Sequence, residues 1–300
     1  MVVPEFLKKD SKIAILSPSG YSNAEFVKTA AEYISKLGYI PEIFPSCLNK
    51  HFQFGGTDDE RLKDIQNAFD ADDIDAVLCA RGGYGTIRII DKIDFSGFIK
   101  NPKWVIGFSD ITNLHLAINK LKICSIHGQM TKAVHEQKDS EAVKYIFDIL
   151  DGRLPEYEIA GHNLNRVGEV EAELIGGNLS IIYSLQGTKF EIDTNGKILF
   201  IEDLNEYLYH LDRIMINLKL TGKLKNLKAL IVGQFTDMKD NANPFGKNAY
   251  EIINEHVADY SFPVCFNFPV GHIDNNLPLI TGHKYKLKIS DTVELLPMKF

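Results

Sequence analysis

Trp104-Val105-Ile106-Gly107-Phe108-Ser109-Asp110-Ile111-Thr112-Asn113-Leu114 is the stretch on which the reading of this chain turns. A short apolar run stops at Gly107, a serine follows, and apolar residues then recur at helical spacing: Ile111, Leu114, Ala117, Ile118 and Leu121. The pattern predicts strand, tight turn, helix, with Ser109 at the turn. A serine so placed projects its hydroxyl above the sheet edge, where a helix N-terminus favours developing negative charge. Hydrolases with a nucleophile elbow place their serine this way, although Ile111 stands where the G-x-S-x-G pattern has its second glycine. The ordinary alternative is that Ser109 or Asp110 simply caps the helix.

The same alternation recurs on either side of this stretch. Strands are expected over Lys12–Ser17, Ile40–Phe44, Ala76–Ala80, Val105–Ile106 and Ile123–Ile126. Helices are expected over Ala24–Leu37, from Thr57 or Asp58 toward Phe69, over Thr86–Asp91, after Ser109 and over Ser140–Leu150. Alternation of this kind predicts an α/β fold with a doubly wound, mostly parallel sheet, whose ligands bind beyond the carboxyl ends of the strands. That rule sets Ser17-Pro18-Ser19, Arg81-Gly82-Gly83, Ser109 and His127 along one rim. Residues 151–166, with Gly152, Pro155, Gly161 and Asn163 and weak periodicity, read as a linker between a domain over 1–150 and a smaller mixed α/β domain over 167–300. In the latter, strands are expected over Val167–Leu174, Lys197–Ile201, Ala229–Val232 and Val264–Phe268, helices over Tyr207–Leu220 and Asn248–Val257, and a hairpin over Tyr285–Leu296.

Composition narrows the function classes. A chain of 300 residues suits one large domain or two medium ones. The formal net charge is −7 with no basic stripe, which argues against nucleic acid as a partner. Cys47, Cys79, Cys124 and Cys265 lie far apart, with no C-x-x-C pair; this fits neither a zinc site nor a disulfide framework and suits a reducing cytosol. Lys8-Lys9-Asp10 interrupts the N-terminus before a signal-peptide core could form, and no apolar run approaches the ~20 residues of a membrane span. No metal-ligand spacing occurs, and no cofactor is called for.

A serine hydroxyl needs a base, and the base needs a group that sets its tautomer. Of nine histidines, His115 lies nearly two turns beyond Ser109 on the same helix, out of reach of its hydroxyl. His51, His135, His162, His210, His256 and His283 occupy polar or helical surface contexts and are expected to be solvated. His127 and His272 each follow an apolar strand, and His272 sits in the polar loop Gly271-His272-Ile273-Asp274-Asn275-Asn276. For the acid, Glu202, Asp203 and Glu206 cluster at the end of a strand, and periodicity does not choose among them. Acyl transfer also needs two N–H donors at the carbonyl oxygen. Gly83, in the turn Arg81-Gly82-Gly83-Tyr84-Gly85, and Asp110 could supply them, though a glycine-rich tight turn without that role is an equal reading. Arg81 is the natural fork for a free carboxylate, set against a plain salt bridge to a loop acid.

Several stretches together resemble the serine LD-carboxypeptidases, a family that includes the microcin-immunity peptidases: Ser17-Pro18-Ser19, Arg81-Gly82-Gly83-Tyr84-Gly85, Gly107-Phe108-Ser109-Asp110-Ile111-Thr112 with Leu114-His115, His127-Gly128, Gly176-Gly177-Asn178-Leu179, Glu202-Asp203 with Glu206 and Asp212-Arg213, and Gly271-His272 with Leu277-Pro278. The resemblance implies a Ser–Glu–His triad, with Ser109 as nucleophile, His272 as general base and Glu202 as its orienter, so it selects Glu202 over its neighbours. It matches Gly83 and Asp110 to the oxyanion-hole amides, and adds Gly82, Tyr84 and Asn178 to Arg81 as expected substrate contacts. It also implies a flavodoxin-like N-terminal domain and a homodimer. Phe108, Gln129, Leu208 and His210 depart from residues common in the family; none is in the triad. The expected function is cytoplasmic removal of the terminal D-alanine from muropeptide tetrapeptides. The alternatives are cleavage of an aminoacyl-nucleotide amide, an esterase of the α/β-hydrolase kind, and a non-enzymatic α/β ligand-binding module.

Overall fold

Short apolar runs separated by amphipathic ones become strands and helices in the computed structural model, which describes residues 1–299. Two units emerge: Met1–Leu154 with Leu277–Thr281, and Pro155–Asn276 with the chain from Gly282 onward.

The first unit opens with β1 (Lys12–Leu16), α1 (Ala24–Lys36) and β2 (Ile40–Ile43). α1 begins where Asn23 Oδ1 accepts from the Glu25 N–H, and it buries Val27, Ala30, Ala31 and Ile34, one face at i, i+3, i+4, i+7. α2 (Asp58–Asp70) starts from a capping box between Thr57 and Glu60. There follow β3 (Ala76–Cys79), α3 (Ser96–Lys100), β4 (Trp104–Gly107), α4 (Thr112–Lys120), β5 (Ser125–His127), α5 (Thr131–Gln137) and α6 (Glu141–Leu150). The expected helix over Thr86–Asp91 is instead two 3₁₀ turns, Thr86–Arg88 and Ile90–Lys92. Ile89, at φ −120°, leaves the helical region and divides the run in two.

The second unit contains β6 (Tyr157–Ala160), β7 (Gly168–Asn178), α7 (Leu179–Ser184), β8 (Ile198–Leu204), α8 (Leu208–Leu220), β9 (Ala229–Thr236), α9 (Ala249–Val257) and β10 (Val264–Cys265). The chain then returns to the first unit for β11 (Leu279–Thr281) before β12 (Lys284–Ile289) and β13 (Thr292–Pro297) complete the second.

The first sheet runs β11-β5-β4-β3-β1-β2, parallel except for β11. Its order 2-1-3-4-5 is the flavodoxin-like one, in which the strand order reverses beside β1 and opens a crevice at the carboxyl ends of β1 and β3. β11 was outside the sequence expectation because three residues carry no readable period. It pairs antiparallel with a strand some 150 residues earlier, Ile280 opposite Ile126. Buried hydroxyls fasten it: Ser125 Oγ and Thr281 Oγ1 lie 2.7 Å apart.

The second sheet runs β10-β9-β8-β7-β12-β13-β6, parallel on the β7–β10 side and antiparallel on the other. The expected linker therefore contains a strand, β6, paired with β13; only Tyr157 of its four side chains is buried, so the hydrophobic pattern is faint. The strand expected over Val167–Leu174 continues through Gly176-Gly177-Asn178, because β8 offers a parallel partner as far as Asn178 opposite Glu202. Among the described residues no helix is long and apolar enough to cross a membrane.

If β11 is part of the first core, Ile280→Ala, which truncates a fully buried side chain, should cost about 2–5 kcal/mol in urea denaturation. Truncating half-exposed Ile216 should cost roughly 0.5 kcal/mol or less.

Candidate active site

In the first unit, β4 ends at Gly107 and the backbone turns sharply at Ser109, whose φ is 63°. A serine in the left-handed region is strained by roughly 1–3 kcal/mol, the hallmark of an elbow rather than of a cap. Neither Ser109 nor Asp110 caps the helix with its side chain: α4 follows a 3₁₀ turn over Ser109–Ile111 and has Ile111 at its N-cap. Gly82 packs directly on the elbow. A Cβ there would lie 3.0 Å from Ser109 Cβ and 3.3 Å from Ser109 Oγ, so a side chain at 82 would press on the hydroxyl. The Gly20 N–H donates to Gly82 O (3.0 Å), which ties the loop after β1 to the loop after β3.

Asp110 is 1% exposed. Its Oδ2 accepts from Ser19 Oγ (2.7 Å) and the Thr86 N–H (2.8 Å), and its Oδ1 from Asn113 Nδ2 (3.1 Å). The Thr86 hydroxyl lies 2.6 Å from Ser19 Oγ. Burial pushes the Asp110 carboxyl up, and the bonds from Ser19 and Thr86, with the nearby Arg61 charge, pull against it. Arg61, itself fully buried, bonds the Pro18 carbonyl and pairs with Asp58.

The remaining expected residues of this unit divide into exposed loop positions and buried histidines. Arg81 is exposed; Nη1 donates to Tyr21 O (3.0 Å) and the guanidinium lies 5.3 Å from the centre of the Tyr21 ring, so its partners are a carbonyl and an aromatic face rather than a loop acid. Gly83 is exposed, and Tyr84, 48% exposed, stands 6.1 Å from the Phe54 ring. His115 is wholly buried: Nε2 donates to Gly107 O (2.8 Å) and Nδ1 accepts from Ser125 Oγ (2.8 Å). Burial pushes its pKa down to about 4, so it stays neutral and braces the strand before the elbow. His127 is likewise buried, at the end of β5.

In the second unit, β8 carries Glu202 and Asp203 within the strand rather than beyond it. Glu202 is fully buried, and its Oε2 lies 2.7 Å from His272 Nδ1. A carboxylate only accepts, so Nδ1 carries the proton and the neutral ring keeps its lone pair on Nε2. Glycine at 271, with φ 127°, permits this approach; a Cβ there would come 2.9 Å from Glu202 Cβ and 3.0 Å from Oε2. Asn276 Oδ1 accepts the Gly271 N–H (2.8 Å), pinning the loop. Burial opposes charge on His272, but the field and hydrogen bond of Glu202, with Asp203 behind, outweigh it and raise the pKa above the usual value.

Asp203 accepts from Asn178 Nδ2 (2.9 Å), the Leu204 N–H (2.9 Å), and Ser180 N–H and Oγ (2.9 and 2.7 Å). Burial, then the charge of Glu202, lifts its pKa to about 6. Asn178 also caps α7 through the Ile181 N–H. Glu206, the third acid left open by periodicity, instead holds His210 Nδ1 at 2.5 Å.

The expectation of solvated histidines fails for most of the group. Only His51 is exposed; His283 is buried with Nε2 donating to Met298 O (2.7 Å), and His256 bonds Asp212 (2.7 Å), since each found a partner from another element. Sequence reasoning gave no role to Ser19, Thr86, Asn113 or Asn276. Ser19, Asn113 and Asn276 stood in quoted stretches but carried no part in the chemistry there; polar partners from separate loops leave no spacing signal. Among the described residues no group of His, Cys, Asp or Glu is arranged to hold a metal ion.

Replacing Glu202 by Gln should drop the His272 pKa, followed by NMR titration of its ring protons, because burial then acts nearly alone. The sign for stability follows: a raised folded-state pKa makes protonation stabilising, fully so below the unfolded value of about 6.5, and that contribution fades as pH rises through the folded value.

Comparisons with known proteins place this geometry. Residues 13–128 match a family profile described as the LD-carboxypeptidase N-terminal domain, and residues 171–287 one described as the LD-carboxypeptidase C-terminal domain. A probable murein peptide carboxypeptidase of Bacillus subtilis is 32% identical, covering 98% of this chain and 93% of the relative. A murein tetrapeptide carboxypeptidase of Pseudomonas aeruginosa is 29% identical, covering 88% of each. The crystal structure of a muramoyltetrapeptide carboxypeptidase from Oxalobacter formigenes superposes with a TM-score of 0.86 at 28% identity, over 96% of this chain and 99% of that one.

Proposed function

The chain belongs to the LD-carboxypeptidase family, and on that premise we propose that it is a serine carboxypeptidase that hydrolyses the L,D-peptide bond before the terminal D-alanine of muropeptide tetrapeptides. The observation that carries the reading is the buried Glu202 carboxylate on His272 Nδ1, which leaves Nε2 as the basic nitrogen. Ser109 Oγ attacks the carbonyl carbon that precedes D-alanine, and His272 takes the hydroxyl proton. The N–H groups of Gly83 and Asp110 receive the oxyanion. Collapse of the tetrahedral intermediate breaks the C–N bond, and His272 passes its proton to the departing amine. Water, deprotonated by the same imidazole, then hydrolyses the acyl-enzyme and frees the shortened peptide. Glu202 stabilises the imidazolium in both halves. Arg81 is assigned the free carboxylate, and Gly82, Tyr84 and Asn178 the remaining substrate contacts.

The names of the Bacillus, Pseudomonas and Oxalobacter relatives support the murein peptide as substrate class. Four buried cysteines without disulfides suit action in the cytoplasm, where recycled muropeptides would be met. A homodimer is the assembly assigned.

Incubation with disaccharide-tetrapeptide should release one alanine, seen by mass. Ser109→Ala should abolish labelling by a fluorophosphonate and lower kcat by roughly 10⁴-fold or more, and Glu202→Gln should lower it by about 10³–10⁴-fold. Turnover of an aminoacyl-nucleotide amide in place of the tetrapeptide would overturn the substrate assignment. Because the base must be neutral, kcat/KM should fall on acidification with an apparent pKa above the ordinary histidine value, in the direction of the His272 shift.

A further inference from the structure

Three loops meet at one buried carboxylate in the first unit. Asp110 belongs to the elbow. Ser19 belongs to the loop after β1, and Thr86 to the loop after β3, three residues beyond Gly83. Both donate to Asp110 Oδ2, while Asn113, on the first turn of α4, donates to Oδ1. The two loops also touch each other, through the Gly20 N–H and Gly82 O, one residue from Ser19 and one from Gly83. Asp110 therefore grips both loops beside the point where they join. We infer that the Asp110 side chain is a positioning residue for the oxyanion pocket: its carboxylate locks the loops after β1 and β3 to the elbow and thereby sets the Gly83 N–H relative to Ser109. This deepens the serine-peptidase reading and rests on it.

The chemistry explains why a carboxylate is used. An ionised Asp is acceptor-only on two oxygens and satisfies the Ser19 hydroxyl, the Thr86 N–H and the Asn113 amide together; with its proton given to Asp110, Ser19 Oγ in turn accepts from the Thr86 hydroxyl. Asparagine would turn one oxygen into a donor facing a donor. Burial disfavours the charge, so the site retains a group that packing alone would not select. Oxyanion donors must be held to within about 0.5 Å of the productive geometry, and Gly82 and Gly83 carry no side chain through which packing could fix the turn.

The test compares Asp110→Asn, Ser19→Ala and the double variant with the parent on disaccharide-tetrapeptide, and measures binding of a peptide boronate, whose tetrahedral adduct on Ser109 loads the oxyanion donors. The expected result is a fall in kcat of about 10²–10³-fold for Asp110→Asn and about tenfold for Ser19→Ala, with KM within threefold. Boronate affinity should fall in step with kcat, and the double variant should be no slower than Asp110→Asn, since both act through one network. The inference is overturned if kcat stays within threefold of the parent, if KM rises as kcat falls, or if the two losses add. Should Asp110→Asn not fold, Ser19→Ala keeps the carboxylate and decides alone: an unchanged kcat sinks the proposal. The underlying reading fails separately. A parent that releases no alanine, or a Ser109→Ala variant that still does, removes the serine mechanism and this role with it, whereas an active parent, a dead Ser109→Ala and an active Asp110→Asn remove this role only.

Discussion

A carboxylate shut away from water is expensive unless something answers its charge. At Glu202 the answer is one imidazole: His272 Nδ1 sits 2.7 Å from Oε2, and Oε1 has no partner among the described residues. Much of the surrounding architecture serves that contact. β8 is inserted between β7 and β9, so the acid is presented from the middle of a sheet rather than from a mobile loop. Residue 271 lacks a side chain, and a Cβ there would crowd Glu202 Cβ and Oε2 at 2.9 and 3.0 Å; Asn276 ties its backbone down. Asp203 next door is buried too, but it is sated by Asn178, Ser180 and Leu204, so its charge adds to the field on His272 without competing for the imidazole.

The first unit solves a different problem, that of presenting a hydroxyl in a strained turn. The order 2-1-3-4-5 brings the loops after β1, β3 and β4 to the same edge. The strain at Ser109 is sustained because those loops are fastened to one another: Gly20 to Gly82, and Ser19, Thr86 and Asn113 to Asp110. Below the edge, His115 clamps the Gly107 carbonyl from α4, and its other nitrogen leads through Ser125 to Thr281. A histidine two turns from the serine thus takes part in the support of the elbow rather than in proton transfer, and its depressed pKa keeps it in the neutral form that this bridging requires.

The parts legible in the sequence were those written in local pattern. The period of Val27, Ala30, Ala31 and Ile34 announced α1, a cap at Thr57 or Asp58 announced α2, and the break from Gly107 to Ser109 announced the elbow. The positions of Ser109, Glu202 and His272 were readable as chemistry, but periodicity left Glu202, Asp203 and Glu206 equivalent; burial and the imidazole at 2.7 Å separate them, and Glu206 proves to be engaged with His210. The elbow's strained φ and the void that Gly82 leaves for the hydroxyl had no sequence signature beyond the residues themselves.

Local sequence therefore determined where most helices start and where the central strands lie, because capping, periodicity and turn preference act within about one or two helical turns. Tertiary structure alone decided which distant segments complete a sheet, as β11 does beside β5, and which buried polar groups satisfy each other, as Ser19, Thr86 and Asn113 do around Asp110. The physical reason is the same for both. Hydrogen-bond partners in a folded core are chosen by exclusion of water from whatever the topology brings together, and that choice has no period along the chain.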